Sequence, residues 1–290
     1  MLFTNRRLIL ESYTREQARE LVFYFIRWGD HSDDFLRQLP DNLVEACLAD
    51  QRFPLQAVIK ELQTDPHRVI TRFENLLTGG TWEIEASPGM KVSHSLMVDG
   101  VSVKETNVKG HAILRQAHIA DFDSACNARD AAIESLSFDH FYSALSKGIS
   151  SLEAYLNLRV AVYNANRSAE DQISERKPKG GYMTIDEKIK MWLPLMTGWQ
   201  IDVGSSAAWS DFQYLKQIRN DVVIHPKPDA GLNTLDELAD GINRFRTGIG
   251  GLMFTMNQFF GERISRTVIR AMRYPNVKVV SADEPEEKES

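Results

Sequence analysis

The sequence predicts a mainly α protein, α+β overall, in which a C-terminal helical bundle follows a smaller helical unit with an antiparallel β meander. Apolar residues recur at helical spacing through most of the second half, whereas residues 81–108 alternate apolar and polar side chains between glycine-containing turns. We expect an N-terminal domain over 1–125, the bundle over 126–278 and a disordered acidic tail over 279–290, because that tail has no apolar anchor.

The N-terminal domain opens with predicted helices. The first covers 14–28, where Thr14 and Gln17 match a capping box. Shorter helices are expected at 42–49, 54–62 and 66–77. Asp65 and Pro66 occupy the N-cap and first helical positions of the last of these.

Helices followed by a hairpin are also the order of a winged helix, and residues 58–73 resemble a helix-turn-helix. That resemblance implies that Arg68 and Arg72 face a DNA groove. Ordinary helical packing with a solvated basic edge is the alternative, and a winged-helix shape also serves protein contacts.

Strands are predicted after Gly79 and Gly80. Alternating side chains place them at 81–86, 91–98 and 101–108, and the turns between and after them are expected at Pro88-Gly89, Asp99-Gly100 and Lys109-Gly110. We expect consecutive strands to pair as a small antiparallel meander.

The second half begins after a break expected in the polar stretch 121–129. A long helix is then predicted over 138–165, with an apolar stripe of Phe141, Leu145, Ile149, Leu152, Leu156 and Val160. Further on we expect a basic flexible loop over 164–181 and a helix over 185–195 that ends near Pro194. A closing helix is expected over 234–264.

The helix predicted over 209–225 carries the most informative residues, Arg219, Asn220 and His225. Pro226 disfavours helical geometry at His225, so the helix should end there. The helix dipole at that end favours the charged imidazole by about 0.3–1 kcal/mol. Histidine ionises near neutral pH, and arginine is a permanent fork of phosphate-binding donors, so the pair suits attack on a phosphodiester.

Arg219-Asn220, four residues and then His225 resembles the Arg-polar-spacer-His signature of the HEPN superfamily, small helical bundles that include many metal-independent ribonucleases of bacterial toxins and phage defence. The helix over 138–165, with Glu153 inside it, is similar to the first HEPN helix. The resemblance covers roughly the last half of the chain and none of the first 125 residues.

The resemblance implies an endoribonuclease that needs neither metal nor cofactor. The RNA 2′-hydroxyl attacks the adjacent phosphate, His225 acts as general acid/base, Arg219 holds the phosphate, and Asn220 orients one of these groups or bonds the phosphate. Asp221 is a poorer candidate than Asn220 for that role, because a carboxylate repels RNA. RNA contacts are expected from Lys227 and, in the basic loop, from Lys177 and Lys179; a solvated connection is the alternative for that loop.

A twofold homodimer is expected as well. On a continuous helix Arg219 and His225 lie about 120° apart in azimuth, which makes one copy an awkward site, and HEPN enzymes pair two motifs across a dimer axis. A protein regulator or antitoxin is the further partner that a toxin implies.

The alternative function is a non-catalytic dimeric HEPN adaptor that binds protein or DNA partners. In that interpretation Arg219 pairs with an acidic side chain on a neighbouring helix, and His225 caps its own helix. Glu153 likewise has an ordinary interpretation as a satisfied polar residue of the core.

Composition restricts these functions. A net charge of −6 over 290 residues argues against a broad nucleic-acid-binding surface but allows a local groove. The sequence shows neither an apolar run of about 20 residues nor a signal peptide, so we expect a cytoplasmic protein and no membrane partner. Cys47 and Cys126 are the only cysteines and lack metal-ligand spacing, and we expect neither to be a nucleophile.

Overall fold

The computed structural model describes residues 6–11, 14–15, 81–85, 92–108, 111–165, 167–262, 266–273 and 276–281. This part of the chain is mainly helical, with antiparallel strand pairs. The helices predicted between residues 16 and 77, with Arg68 and Arg72, lie outside the described residues, and so does the tail beyond Ser281.

The strands of the described residues are β1 (Arg6–Leu10), β2 (Thr81–Glu85), β3 (Val92–Val98), β4 (Val101–Val108), β5 (His111–Arg115) and β6 (Val277–Ser281). They form three antiparallel pairs, β1 with β6, β2 with β5 and β3 with β4. The predicted meander is therefore wrong in its pairing order. β2 pairs with β5, a strand that the alternation pattern missed, and the β3–β4 hairpin is inserted between them in sequence.

The turn of the β3–β4 hairpin has the predicted chemistry. Asp99 and Gly100 have φ angles of 50° and 77°, the two positive values of a type I′ turn. Asp99 then contacts the helical part of the chain, because its Oδ2 accepts a hydrogen bond from Arg159 Nη1 at 2.8 Å.

Arg159 is the centre of a partly buried polar cluster. Its Nη1 also donates to Glu262 Oε1 at 2.6 Å, while the hydroxyl of Tyr155 donates to Glu262 Oε2 at 2.6 Å. The His118 ring lies 5.6 Å from the Tyr155 ring, and burial, with the charge of Arg159, lowers the pKa of His118 to about 4. This cluster joins the hairpin tip to the helices.

The helices are α1 (Ala117–Ser135), α2 (Phe138–Ala165), α3 (Ile185–Thr197), α4 (Ala207–Arg219), α5 (Leu235–Phe245), α6 (Gly251–Phe259) and α7 (Arg266–Arg273), with π-helical turns at Asn220–Ile224 and Arg246–Gly250. Leu136 and Ser137 alone connect α1 to α2, which makes these two helices antiparallel neighbours. No helix of the described residues is both long and apolar enough to cross a membrane.

Residues 121–129 do not form the expected break, because they lie inside α1. Ala125, Cys126 and Ala132 are fully buried, and so is Arg129, whose Nε and Nη2 donate to Asp130 Oδ1 at 3.0 and 2.8 Å. Small side chains and a buried guanidinium contribute little to a hydropathy pattern, so the helix was not recognisable from the sequence.

The core lies around α2, whose predicted bounds are confirmed. Every residue of its predicted stripe is buried. Leu8 of β1 and Val277 of β6 belong to the same core, and Asn243 of α5 exchanges two hydrogen bonds with the backbone of Val277 at 2.7 and 2.9 Å. Strand β1 therefore packs with the C-terminal helices.

Two predicted helix ends need correction. α3 continues past Pro194 to Thr197, where Gly198 adopts a φ of 76° and its N–H bonds the Pro194 carbonyl. Pro194 only removes one hydrogen bond from the last turns. The closing helix starts after Thr234 as expected, but it is divided by the second π-helical turn and ends at Phe259.

Candidate active site

Arg219 is the last residue of α4. This helix begins at the N-cap Ser206, whose side chain accepts a hydrogen bond from the Trp209 N–H at 3.2 Å. Trp209, Phe212 and Leu215 are buried. This buried face fixes the helix and leaves its C-terminal end to carry the motif.

The connection from Arg219 to His225 is not the continuous α-helix that the sequence predicted. Residues Asn220–Ile224 form a π-helical turn, closed by a 2.7 Å hydrogen bond from the His225 N–H to the Asn220 carbonyl. The helix ends at His225, as Pro226 predicts, with φ −131° and ψ 71°. An azimuth calculated for a regular α-helix consequently does not apply to the pair, and the backbone bond fixes His225 against Asn220.

The side chain of His225 is exposed. Within the described residues its ring makes no hydrogen bond or ion pair, although its charge and that of Lys227 act on Asp221. Asp221 is held by Lys227 Nζ and Gln217 Nε2, each at 2.6 Å, and these hydrogen bonds lower the pKa of its carboxyl group. The imidazole is therefore open to a ligand from solvent.

Arg219 is partly buried beside two carboxylates, Glu153 and Asp186. Its Nε is shielded from solvent and has no hydrogen-bond partner in the described part of the chain. Desolvation lowers its pKa, and the attraction of the two carboxylates opposes that change. The two carboxylates thus attract the guanidinium electrostatically, but neither forms a direct ion pair with it.

Both carboxylates have lysine partners of their own. Lys188, a buried residue of α3, donates to Glu153 Oε1 at 2.7 Å and to Asn157 Oδ1 at 2.9 Å. Lys216 of α4 bonds Asp186. Three cations therefore face two carboxylates where α2, α3 and α4 meet, and the cluster has one positive charge in excess at Arg219.

Lys188, Asp186 and Lys216 were not found by sequence reasoning. The signal for Lys188 was present, since it lies on the apolar face of α3 between the buried Ile185 and Trp192. A charge at such a position needs a partner. Glu153, which was interpreted as a polar core residue, is that partner.

The three predicted RNA-binding lysines lie in two places. Lys227 follows the motif directly and pairs with Asp221. Lys177 and Lys179 belong to the segment 176–182, here called the basic hairpin, which is bridged by Arg176 and Tyr182. Lys177 pairs with Glu187 at 2.8 Å, whereas Lys179 is exposed at the hairpin tip.

Among the described residues no group of three or more histidine, cysteine or acidic side chains is arranged to hold a metal ion. Cys126 is buried, with its Sγ 3.9 Å from the Thr267 carbonyl. Comparison of the chain with protein-family models, curated proteins and solved structures finds no match. Any functional conclusion therefore depends on the residues and contacts described above.

Proposed function

We propose that this chain is a HEPN-type metal-independent endoribonuclease, of the kind found in bacterial toxins and phage-defence systems. One observation carries the proposal. Arg219 and His225 flank one helix end, and neither side chain makes a hydrogen bond or direct ion pair with the described residues. A long helix before the motif and α5 with α6 after it have the order that the family resemblance implies.

The chemistry assigns a role to each group. The 2′-oxygen of a ribose forms a bond to the neighbouring phosphorus while the bond from phosphorus to the 5′-oxygen breaks. The 2′ proton passes to a histidine acting as base, and the leaving oxygen receives a proton from a histidine acting as acid. Arg219 stabilises the charge on the phosphorane oxygens, and Asn220 adds a hydrogen bond to the phosphate or orients the guanidinium.

We also propose a twofold homodimer, because one motif supplies a single imidazole and the reaction needs both a base and an acid. Two motifs facing each other across the axis provide both. Light scattering coupled to size-exclusion chromatography measures the mass directly. A molecule that stays monomeric at the concentration of the activity assay contradicts this part of the proposal.

The decisive experiment is cleavage of single-stranded RNA in EDTA. Wild-type protein is expected to cut, and His225→Ala to be slower by about 10²–10⁴-fold. Arg219→Lys is expected to lose activity as well, since a lysine keeps the charge but not the two-pronged geometry. His140→Ala is the matched control, because His140 is another exposed histidine of the helical part, bonded through Nδ1 to Ser135 at 3.0 Å.

The products give a second criterion. Cleavage should leave a cyclic phosphate and a 5′-hydroxyl, and a substrate with 2′-deoxyribose at the cleaved positions should remain intact. Cutting that requires an added metal, or that persists unchanged in His225→Ala, refutes the ribonuclease assignment.

A non-catalytic adaptor is the second candidate, and one surface favours it. Met191 and Leu195 lie one turn apart on α3, Trp199 follows, and their exposures are 54%, 61% and 63%. Large apolar side chains left exposed close together in the sequence are a feature of surfaces that contact other proteins. Absence of cleavage of any RNA, together with destabilisation rather than specific inactivation in the Arg219 and His225 variants, supports the adaptor.

A further inference from the structure

The basic hairpin has a defined backbone. The Gly180 N–H bonds the Lys177 carbonyl at 3.0 Å across Pro178 and Lys179, and the Lys177 N–H bonds the Gly181 carbonyl at 3.0 Å. Proline at the second position and glycine at the fourth are the residues that a type I turn favours. Gly180 and Gly181 have φ angles of 89° and 83°, which side chains rarely adopt. The sequence therefore closes this part of the basic loop into a hydrogen-bonded turn.

The hairpin is also anchored to α3. Met183, the residue after it, is buried, and its N–H bonds the Glu175 carbonyl at 2.9 Å. Lys177 bonds Glu187. This hydrogen bond, together with one from the Thr184 backbone N–H, lowers the pKa of Glu187 to about 2. The hairpin is thus held at the start of the helix that carries Asp186.

Tyr182 is the exposed aromatic residue of this hairpin. Its side chain is 67% exposed, and the Arg176 guanidinium lies 5.6 Å from the ring centroid. That exposure leaves at least one face of the ring open to solvent. An open aromatic ring in a hairpin that also carries the cations Arg176 and Lys179 is the combination that binds single-stranded nucleic acid, because any base stacks on the ring while cations contact the backbone.

The hairpin lies close to the candidate active site. Tyr182 precedes Asp186 by four residues, which limits their separation to about 14 Å even for extended chain. Asp186 bonds Lys216 and acts electrostatically on Arg219. A strand of a few nucleotides with its phosphate at Arg219 is long enough to span a separation of this size.

We propose that Tyr182 is a stacking platform for an unpaired base and that Lys179 contacts a neighbouring phosphate, so that the substrate of this site is single-stranded RNA. This inference rests on the ribonuclease function proposed above. It adds a binding residue outside the motif and a preference for unpaired over duplex RNA.

The test measures binding separately from cleavage. A short fluorescein-labelled single-stranded RNA is titrated against the His225→Ala protein, which does not consume it, and anisotropy gives Kd. Adding Tyr182→Ala to this protein should weaken binding by about 5- to 150-fold, the effect of losing one base–aromatic stack. Tyr182→Phe should bind like the parent, because the ring remains.

Tyr214→Ala is the matched control. Tyr214 is also an exposed tyrosine with an arginine beside its ring: the Arg244 guanidinium lies 4.5 Å from the ring centroid. Because Arg244 belongs to α5, this ring faces α5 instead of the basic hairpin. This variant should keep the parent Kd. Lys179→Gln should reduce the slope of log K against log salt by about 0.7, the value for one phosphate contact on a single strand.

Unchanged binding by Tyr182→Ala, or equal binding of a duplex of the same sequence with the same dependence on Tyr182, overturns the inference. Loss of binding in Tyr182→Ala but not in Tyr182→Phe supports it. The cleavage assay in EDTA remains an independent readout. If the wild-type protein cleaves RNA but binding does not depend on Tyr182, only the stacking role of Tyr182 is refuted. If the wild-type protein does not cleave RNA, the proposed ribonuclease function is refuted.

Discussion

Gly248 is the position where one added methyl group should most disturb α4, the helix that ends at Arg219. It lies in the second π-helical turn, packed against the backbone of α4. A Cβ added there would meet Phe212 N at 2.7 Å and the Asp211 carbonyl carbon at 2.8 Å. Backbone atoms cannot rotate away as a side chain does, so Gly248→Ala must push α4 and the second π-helical turn apart.

The magnitude follows from two opposing effects. Overpacking costs about 1–3 kcal/mol, and a rigid backbone contact belongs to the upper part of that range. Alanine recovers up to about 1 kcal/mol of helix propensity. We therefore expect Gly248→Ala to lower the free energy of unfolding by about 1–2 kcal/mol. RNA cleavage should fall with it, because α4 carries Arg219.

Gly251→Ala provides the control three residues further along. Its added Cβ would lie 3.5 Å from the Ala208 Cβ, an ordinary contact, so this variant should be as stable as wild type or slightly more stable. Urea unfolding followed by circular dichroism gives the midpoint and slope for each protein. If Gly248→Ala unfolds at the midpoint of Gly251→Ala or above it, the close approach of the π-helical turn to α4 is refuted.

Three more predictions test the rest of the fold. The folded-state pKa of His118, about 4, lies below its ordinary 6.5, so the unfolded state binds the extra proton between these values. Stability should fall by about 3 kcal/mol as pH drops from 6.5 to 4, and a His118→Asn variant whose unfolding is equally pH-dependent would contradict this. Thr184→Ala removes the N-cap of α3 and should cost about 1 kcal/mol in urea unfolding, and no change would refute the capping role. Asp99→Ala removes the bond to Arg159, so amide exchange in β3 and β4 should accelerate; unchanged protection would show that the hairpin is held otherwise.

The sequence was sufficient where local chemistry decides the structure. α2 has an uninterrupted apolar stripe over 138–165, and its bounds followed from that stripe. The Asp99-Gly100 turn follows from the tolerance of these residues for positive φ. The end of the motif helix at His225 follows from Pro226. Each of these features depends on neighbours within a few residues.

The features that the sequence did not reveal depend on distant partners. β1 pairs with β6 at the other end of the described chain, and nothing in residues 6–10 specifies that partner. The stripe of α1 is hidden because Arg129 is buried where an apolar residue is expected. The π-helical turn at Asn220–Ile224 likewise has no local signature, since its closing bond to His225 differs from an α-helical bond by one residue only.

The candidate site divides in the same way. Arg219, Asn220 and His225 were found by their spacing, because one helix end carries all three. The cluster around Arg219 was missed because its members come from three helices: Glu153 from α2, Asp186 and Lys188 from α3, and Lys216 from α4. A lysine on an apolar helix face indicates that a polar partner lies nearby, but it does not identify which residue that partner is.

The charge distribution restricts how the proposed enzyme can hold RNA. With a net charge of −6 the protein as a whole does not attract a polyanion. Two cations near the motif are already paired, Lys177 with Glu187 and Lys227 with Asp221. Partly exposed pairs of this kind are worth about 0–1 kcal/mol, so a phosphate can displace a carboxylate at small cost. In the proposed enzyme, affinity must then come from short-range contacts, the phosphate at Arg219 and the base on Tyr182, and such contacts select an unpaired segment over a long duplex.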